Sequence, residues 1–219
     1  KAEGLSLEIA IEYIRTGQWE EAHKVLVPIW PQLTWRSSGW FDLMAEFAWT
    51  LRECAQKVGD YETLMWINWE LLNRVFPPRP EWDYNLHRCL QDVDVGSPKP
   101  TIVLRAGDVI SCLSASLVFE KAQGNVGEPL QLQLAITSVA QPNSAPITLS
   151  EVKMAFEGGL RPIVLHSQEP QESETTSDQI STVPLRDSAD SLDSSTLSSP
   201  THGLAPMIGT ADLKFHPSQ

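Results

Sequence analysis

The side chains best suited to nucleophilic or metal-assisted chemistry are five histidines and three cysteines. A nucleophilic triad needs a Ser or Cys beside a His that an acid orients, and His23, His87, His166, His202 and His216 sit in no such arrangement. His87 and Cys89 flank Arg88, but on a helix side chains two apart diverge by about 200°. Zinc needs four converging ligands, and no second pair accompanies them. Glycine-rich phosphate loops of the GxGxxG or GxxxxGK[ST] type are absent. The sequence therefore predicts no catalytic, cofactor-binding or metal-ligating residues, no cofactor and no enzyme, and it singles out no partner-binding residue.

Two rival chemistries use particular residues. Glu20, Glu21 and Glu46 are candidate paired carboxylates of a carbohydrate-active enzyme fragment, with Trp30, Trp35 and Trp40 as sugar-stacking platforms. Against that, Glu20 and Glu21 open a predicted helix, where acids favour the dipole, and tryptophans at helix ends serve as packing wedges. The second rival is a peptide-binding adaptor of the co-chaperone type, which clamps a carboxylate with basic side chains; Lys24, Arg36 and Arg52 are its candidates.

The elements that must position these residues fall into three zones. Residues 1–95 read as helices. Leu5, Ile9, Ile11 and Ile14 recur at near-helical spacing up to Gly17. Trp19, Ala22 and Leu26 continue the 3.6-residue period to about Trp30, where Pro28 and Pro31 kink or end the helix. A long helix is predicted from about Trp40 to Lys57, another from Asp60 to Val75 with Asp60 as cap, and a short one from Glu81 to about Leu90. Gly17-Gln18-Trp19 is echoed by Gly59-Asp60-Tyr61, 42 residues on by subtraction of the numbering. A glycine turn followed by an aromatic between amphipathic helices is the device of tetratricopeptide-like repeats, here as an irregular α-solenoid.

Residues 96–219 change to a period of two. Leu113, Ala115, Leu117 and Phe119 alternate with Ser114, Ser116 and Val118, and Leu130, Leu132, Leu134 and Ile136 alternate with Gln131, Gln133 and Ala135. Ile147, Leu149, Val152, Met154 and Phe156 follow, with a phase slip at Ser150-Glu151 that reads as a bulge; Gly158-Gly159 then turns the chain into Ile163-Val164-Leu165. The expected fold class is α+β: the solenoid, then a partial antiparallel, immunoglobulin-like β-sandwich of five or six strands. An acidic, Ser/Thr-rich stretch at about 168–206 has too little apolar surface to order itself and is expected as a disordered insertion open to phosphorylation.

The formal net charge of −12 disfavours nucleic acid. No apolar run approaches the roughly 18 residues of a membrane span. An odd number of scattered cysteines predicts a reducing, cytosolic setting rather than a disulfide framework. A chain that starts at Lys1 without a secretory signal is expected to be a piece of a longer protein.

The run from Trp30 to Met44 carries Arg36, a gap, and the aromatic pair Trp40-Phe41. Together with Leu51-Arg52-Glu53-Cys54-Ala55, Gly59-Asp60-Tyr61 and Glu70-Leu71-Leu72-Asn73-Arg74, it resembles the foie-gras domain family of subunit eleven of the transport protein particle (TRAPP) complex. Val126 to Leu130, Ser144 to Ile147 and Val152 to Phe156 resemble the β-domain that follows in that family. The resemblance covers most of residues 5–167. It implies a non-catalytic scaffold in a vesicle-tethering complex of endoplasmic reticulum-to-Golgi transport and autophagy, cytoplasmic and peripheral to Golgi and early secretory membranes. The implied partners are other subunits of that complex and, indirectly, a Rab-type GTPase that other subunits activate.

Overall fold

A computed structural model describes residues 2–89, 101–105, 107–125, 128–168, 182–188 and 205–217. The chain is α+β, helices first and strands after, and it divides into two compact units: residues 1–145 with 217–219, and 146–216.

In the first unit, α1 (Ala2–Arg15) and α2 (Trp19–Leu26) form one helical pair, and α4 (Phe41–Val58) and α5 (Tyr61–Leu71) form another. Between them lie a 3-10 turn (Trp30–Gln32) and α3 (Thr34–Ser38). The echo seen in the sequence has a backbone counterpart. Gly17 and Gly59 turn each pair at φ of +76° and +75°, a left-handed conformation that a side chain strains. Trp19 and Tyr61 then open the second helix of each pair. Asp60 caps α5, its carboxylate accepting from the Thr63 N–H at 3.1 Å and the Thr63 hydroxyl at 2.6 Å. The same carboxylate lies 3.0 Å from His23 Nε2 on α2. Leu33 precedes α3 and cannot cap it, so Glu3 of α1 does so from a distance, accepting from the backbone N–H and hydroxyl of Thr34.

Prolines set the helix limits. The helix expected from Trp19 to about Trp30 stops at Leu26, two residues before Pro28, because the segment following resumes only as a 3-10 turn containing Pro31. The last helix is also shorter than expected: α6 spans Leu86–Cys89. The core of this unit is aromatic. Trp30 stacks on Phe47 with centroids 5.9 Å apart, Trp35 meets Phe47 edge-on, and Phe41 meets Phe76 edge-on. Ala10, Ala22, Met44, Ala48, Leu51 and Ile67 fill the spaces between the helices. The unit also includes the hairpin of β1 (Leu113–Phe119) and β2 (Leu132–Ser138), paired antiparallel with Leu117 opposite Leu134.

The second unit holds β3 (Ile147–Thr148), β4 (Glu151–Met154), β5 (Ile163–Ser167), β6 (Arg186–Asp187), β7 (Met207–Ala211) and β8 (Lys214–Phe215). β3 pairs with β8, and the others form a sheet in the order β4-β5-β7-β6. Two expectations change here. The phase slip at Ser150-Glu151 is a change of sheet, since β3 and β4 on either side of it pair with different partners. The strands are also not all antiparallel, because β5 and β7 run parallel. Ile163, Val164 and Leu165 are all buried, the continuous apolar run of a strand covered on both faces. Of the span expected as a disordered insertion, residues 182–188 carry β6 beside β7. Val183 and Leu185 approach so closely that a Cβ on Gly209 would lie 2.8 Å and 3.0 Å from them. The remainder of that span, apart from residue 168 and residues 205–206, lies outside the described residues.

Candidate functional site: a buried polar junction

Apolar Leu64, Ile67 and Leu71 bury α5, and Glu70 goes in with them, fully inaccessible. A carboxylate in that position requires partners. Arg36, at the end of α3, supplies two: Nη1 donates to Oε1 at 2.5 Å and Nη2 to Oε2 at 3.4 Å. The backbone N–H of Ile110, on the approach to β1, donates to Oε1 at 2.8 Å. Arg36 in turn rests over the Trp30 ring, 5.1 Å from its centroid. Burial nevertheless holds the Glu70 carboxyl above the usual carboxylate range, with Arg36 and the Ile110 N–H opposing the rise. The Trp66 indole N–H also favours the charged form but lies outside hydrogen-bond geometry.

The junction continues past the end of α5. Asn73 Nδ2 donates to the Ser111 carbonyl at 2.8 Å, and the Arg74 N–H donates to the Val139 carbonyl at 2.9 Å. From the far end of β2, the Gln141 backbone N–H donates to the Leu72 carbonyl at 2.7 Å. The Gln141 side chain, 2% exposed, donates to the carbonyls of Asn73 and Phe76 at 3.2 Å and 2.9 Å. The unsatisfied carbonyls that every helix leaves at its C-terminus are here met by the hairpin. The Glu-Leu-Leu-Asn-Arg run is thereby a helix end shaped to hold a sheet, and the arginine far upstream is its counter-ion.

A second cluster fixes the loop after Phe76. The Arg52 guanidinium lies 3.8 Å from the Trp82 centroid, Trp82 meets Trp49 edge-on at 5.2 Å, and Arg79 covers Trp49 at 4.4 Å. Arg52 also donates to Asn68 at 2.8 Å and to Gln56 at 3.2 Å.

These contacts place the residues that the two rival chemistries would use. Arg36 and Arg52 are committed to internal partners, and Lys24 is an exposed side chain paired with Glu21, so the three basic residues do not assemble a carboxylate clamp. Trp30 and Trp35 are buried core residues, only Trp40 of the three being exposed. They offer no stacking platform to Glu20, Glu21 and Glu46, which lie exposed on α2 and α4. His23 faces Asp60, and His166 on β5 faces Glu151 at 3.5 Å; the side chain of His87, and His202, lie outside the described residues. Among the described residues no cluster of three His, Cys, Asp or Glu has metal-binding geometry, and no helix is long and apolar enough to cross a membrane. Cys54 and Cys112 are buried thiols pushed up to about 11 and about 12 by desolvation, Glu53 adding to the rise at Cys54.

Sequence reasoning marked Arg36, Glu70 and Asn73 through the resemblance, without their contacts, and missed Gln141 and the Arg52–Trp82–Trp49–Arg79 cluster. The available signal for Glu70 was a charge within the apolar face of a helix. Gln141 carries no such signal.

Residues 1–74 match the model of Foie gras liver health family 1. Over those residues the chain is similar to the foie-gras family. The matched segment contains both members of the Arg36–Glu70 pair, together with Asn73 and Arg74, while the hairpin residues they hold lie outside the matched region. No curated protein and no solved structure matches the chain.

Proposed function

We propose that the chain is a non-catalytic scaffold region of a multisubunit vesicle-tethering complex. In this reading it acts in endoplasmic reticulum-to-Golgi transport and autophagy, at the cytoplasmic face of early secretory and Golgi membranes. It supports activation of a Rab-type GTPase by other subunits. The observation that carries the reading is the foie-gras match over residues 1–74. The helix pairs are read as an irregular tetratricopeptide-like α-solenoid and the strands as part of an immunoglobulin-like sandwich, both architectures that present surfaces to neighbours. In support, the buried or half-buried charged side chains Arg36, Arg52 and Glu70 hold the fold together.

The test is an affinity purification of the tagged protein that carries this chain, with and without residues 1–145, read by quantitative mass spectrometry. Loss of a defined set of tethering-complex subunits on deletion is the expected result. An unchanged set, with a chaperone or other peptide-bearing partner lost instead, overturns it.

A further inference from the structure

Trp30, Trp35, Trp40 and Phe41 lie within twelve residues, counting inclusively from 30 to 41, and three of the four pack inward. Trp40 does not: it is 57% exposed, against 1% for Trp30 and 7% for Trp35. Its backbone is held from both sides, the N–H donating to the Trp35 carbonyl and the carbonyl accepting from Met44, both at 3.1 Å. Trp40 therefore presents its indole to solvent from a backbone fixed at the N-cap of α4. One turn on, Leu43 is 39% exposed. From there the outer face of α4 runs through Glu46, Thr50, Glu53 and Lys57 at helical spacing, with Asp42 beside Leu43. Asp42, Glu46 and Glu53 pair with no basic side chain among the described residues.

An exposed tryptophan on a fixed backbone next to an exposed leucine is the composition of an interface anchor, since tryptophan dominates binding energy where it is desolvated. The unpaired carboxylates beside it determine the sign of what desolvates it. We propose that Trp40, Leu43 and the acidic face of α4 form a docking surface for a segment of another protein that carries lysines or arginines around an aliphatic side chain. The aliphatic group covers Leu43 and the indole, a cation lies over the indole face, and the flanking cations meet Asp42, Glu46 and Glu53. The proposal rests on the scaffold reading and deepens it, naming one surface and the chemistry of its partner.

The experiment uses the purified chain labelled with 5-fluorotryptophan, the Trp40 resonance being assigned by its loss in Trp40→Phe. Two synthetic peptides of equal length are titrated in, one alternating lysine and leucine, the other with glutamate in place of each lysine. The expected result is a saturable shift of the Trp40 resonance with the lysine peptide alone. That affinity falls by on the order of tenfold in Leu43→Ser, and by a similar factor in Asp42→Lys/Glu46→Lys or when salt rises from about 0.05 M to about 0.5 M. All the substituted positions are exposed, so circular dichroism is expected to stay unchanged. No shift at Trp40, an equal shift with both peptides, or a shift confined to other tryptophans overturns the proposal. Binding at Trp40 with an unchanged set of co-purified subunits leaves this surface standing and removes the scaffold reading; the reverse removes this surface alone.

Discussion

Glu70 carries more of the first unit's specificity than its size suggests. Three elements meet at one carboxylate: α5 provides it, α3 provides the guanidinium, and the approach to β1 provides a backbone N–H. Removing one partner of a buried ion pair leaves a charge without compensation, at about 3–5 kcal/mol, so Arg36→Met is expected to destabilise the protein by that order at about pH 8. The sign of the pH dependence follows from the raised Glu70 carboxyl. Between the ordinary carboxylate value and the raised one, the folded chain binds more protons than the unfolded chain. Stability therefore falls as pH rises through that window. Arg36 opposes the rise, so its loss pushes the carboxyl higher still and widens the window upward. The cost of Arg36→Met is thus expected to shrink as pH falls through that window and Glu70 takes up a proton, whereas Glu70→Gln removes this pH dependence altogether. Urea denaturation midpoints across that range measure both effects, and a cost for Arg36→Met that is flat with pH contradicts the assignment.

At the scale of elements, the β1–β2 hairpin stands out by what it lacks. Neither strand contains a charged residue. The bonds from the Val139 N–H to the Cys112 carbonyl and from the Glu120 N–H to the Gln131 carbonyl fix the alternation. The backbone groups of Ala115 and Leu117 thus face away from β2. β1 is mostly exposed, with Leu117 and Val118 among its accessible side chains. An uncharged edge of this kind invites pairing with other chains. Leu117→Lys is expected to raise the concentration at which light scattering begins, while changing unfolding stability by only about 0.5 kcal/mol. Earlier onset of scattering, or loss of helical circular dichroism, would show that Leu117 has a packing role instead.

For the molecule as a whole, the boundary between helices and strands is not the boundary between compact units. The first unit runs through β2 to Ala145, because the carbonyls of Leu72, Asn73 and Phe76 find their donor in Gln141. A fragment of residues 1–145 is expected to keep a native near-ultraviolet signal from its tryptophans and a cooperative transition. A fragment of residues 1–95 leaves Glu70 without the Ile110 N–H and the end of α5 without its acceptors and donors, and is expected to lose both. A cooperative 1–95 fragment with native tryptophan signal would show the junction to be dispensable.

What the sequence determined by itself was local. Hydrophobic period separated the helical zone from the strand zone. Gly17 and Gly59 marked two turns that need left-handed backbone, and Asp60 marked a cap, because each of these depends on neighbours a few residues away. The resemblance singled out Arg36 and Glu70 as residues without saying that they touch. Tertiary structure decided the rest. Thirty-four positions separate Arg36 from Glu70, and nothing in the spacing of charges along a chain encodes which buried pair will close. The parallel pairing of β5 with β7 depends on a crossover that period-two alternation does not record. Gln141 reads as an ordinary turn residue and becomes a buried clamp only because β2 ends beside α5. Trp40 was indistinguishable in sequence from its buried neighbours. Its exposure follows from where the N-cap of α4 emerges, a fact of packing rather than of residue type.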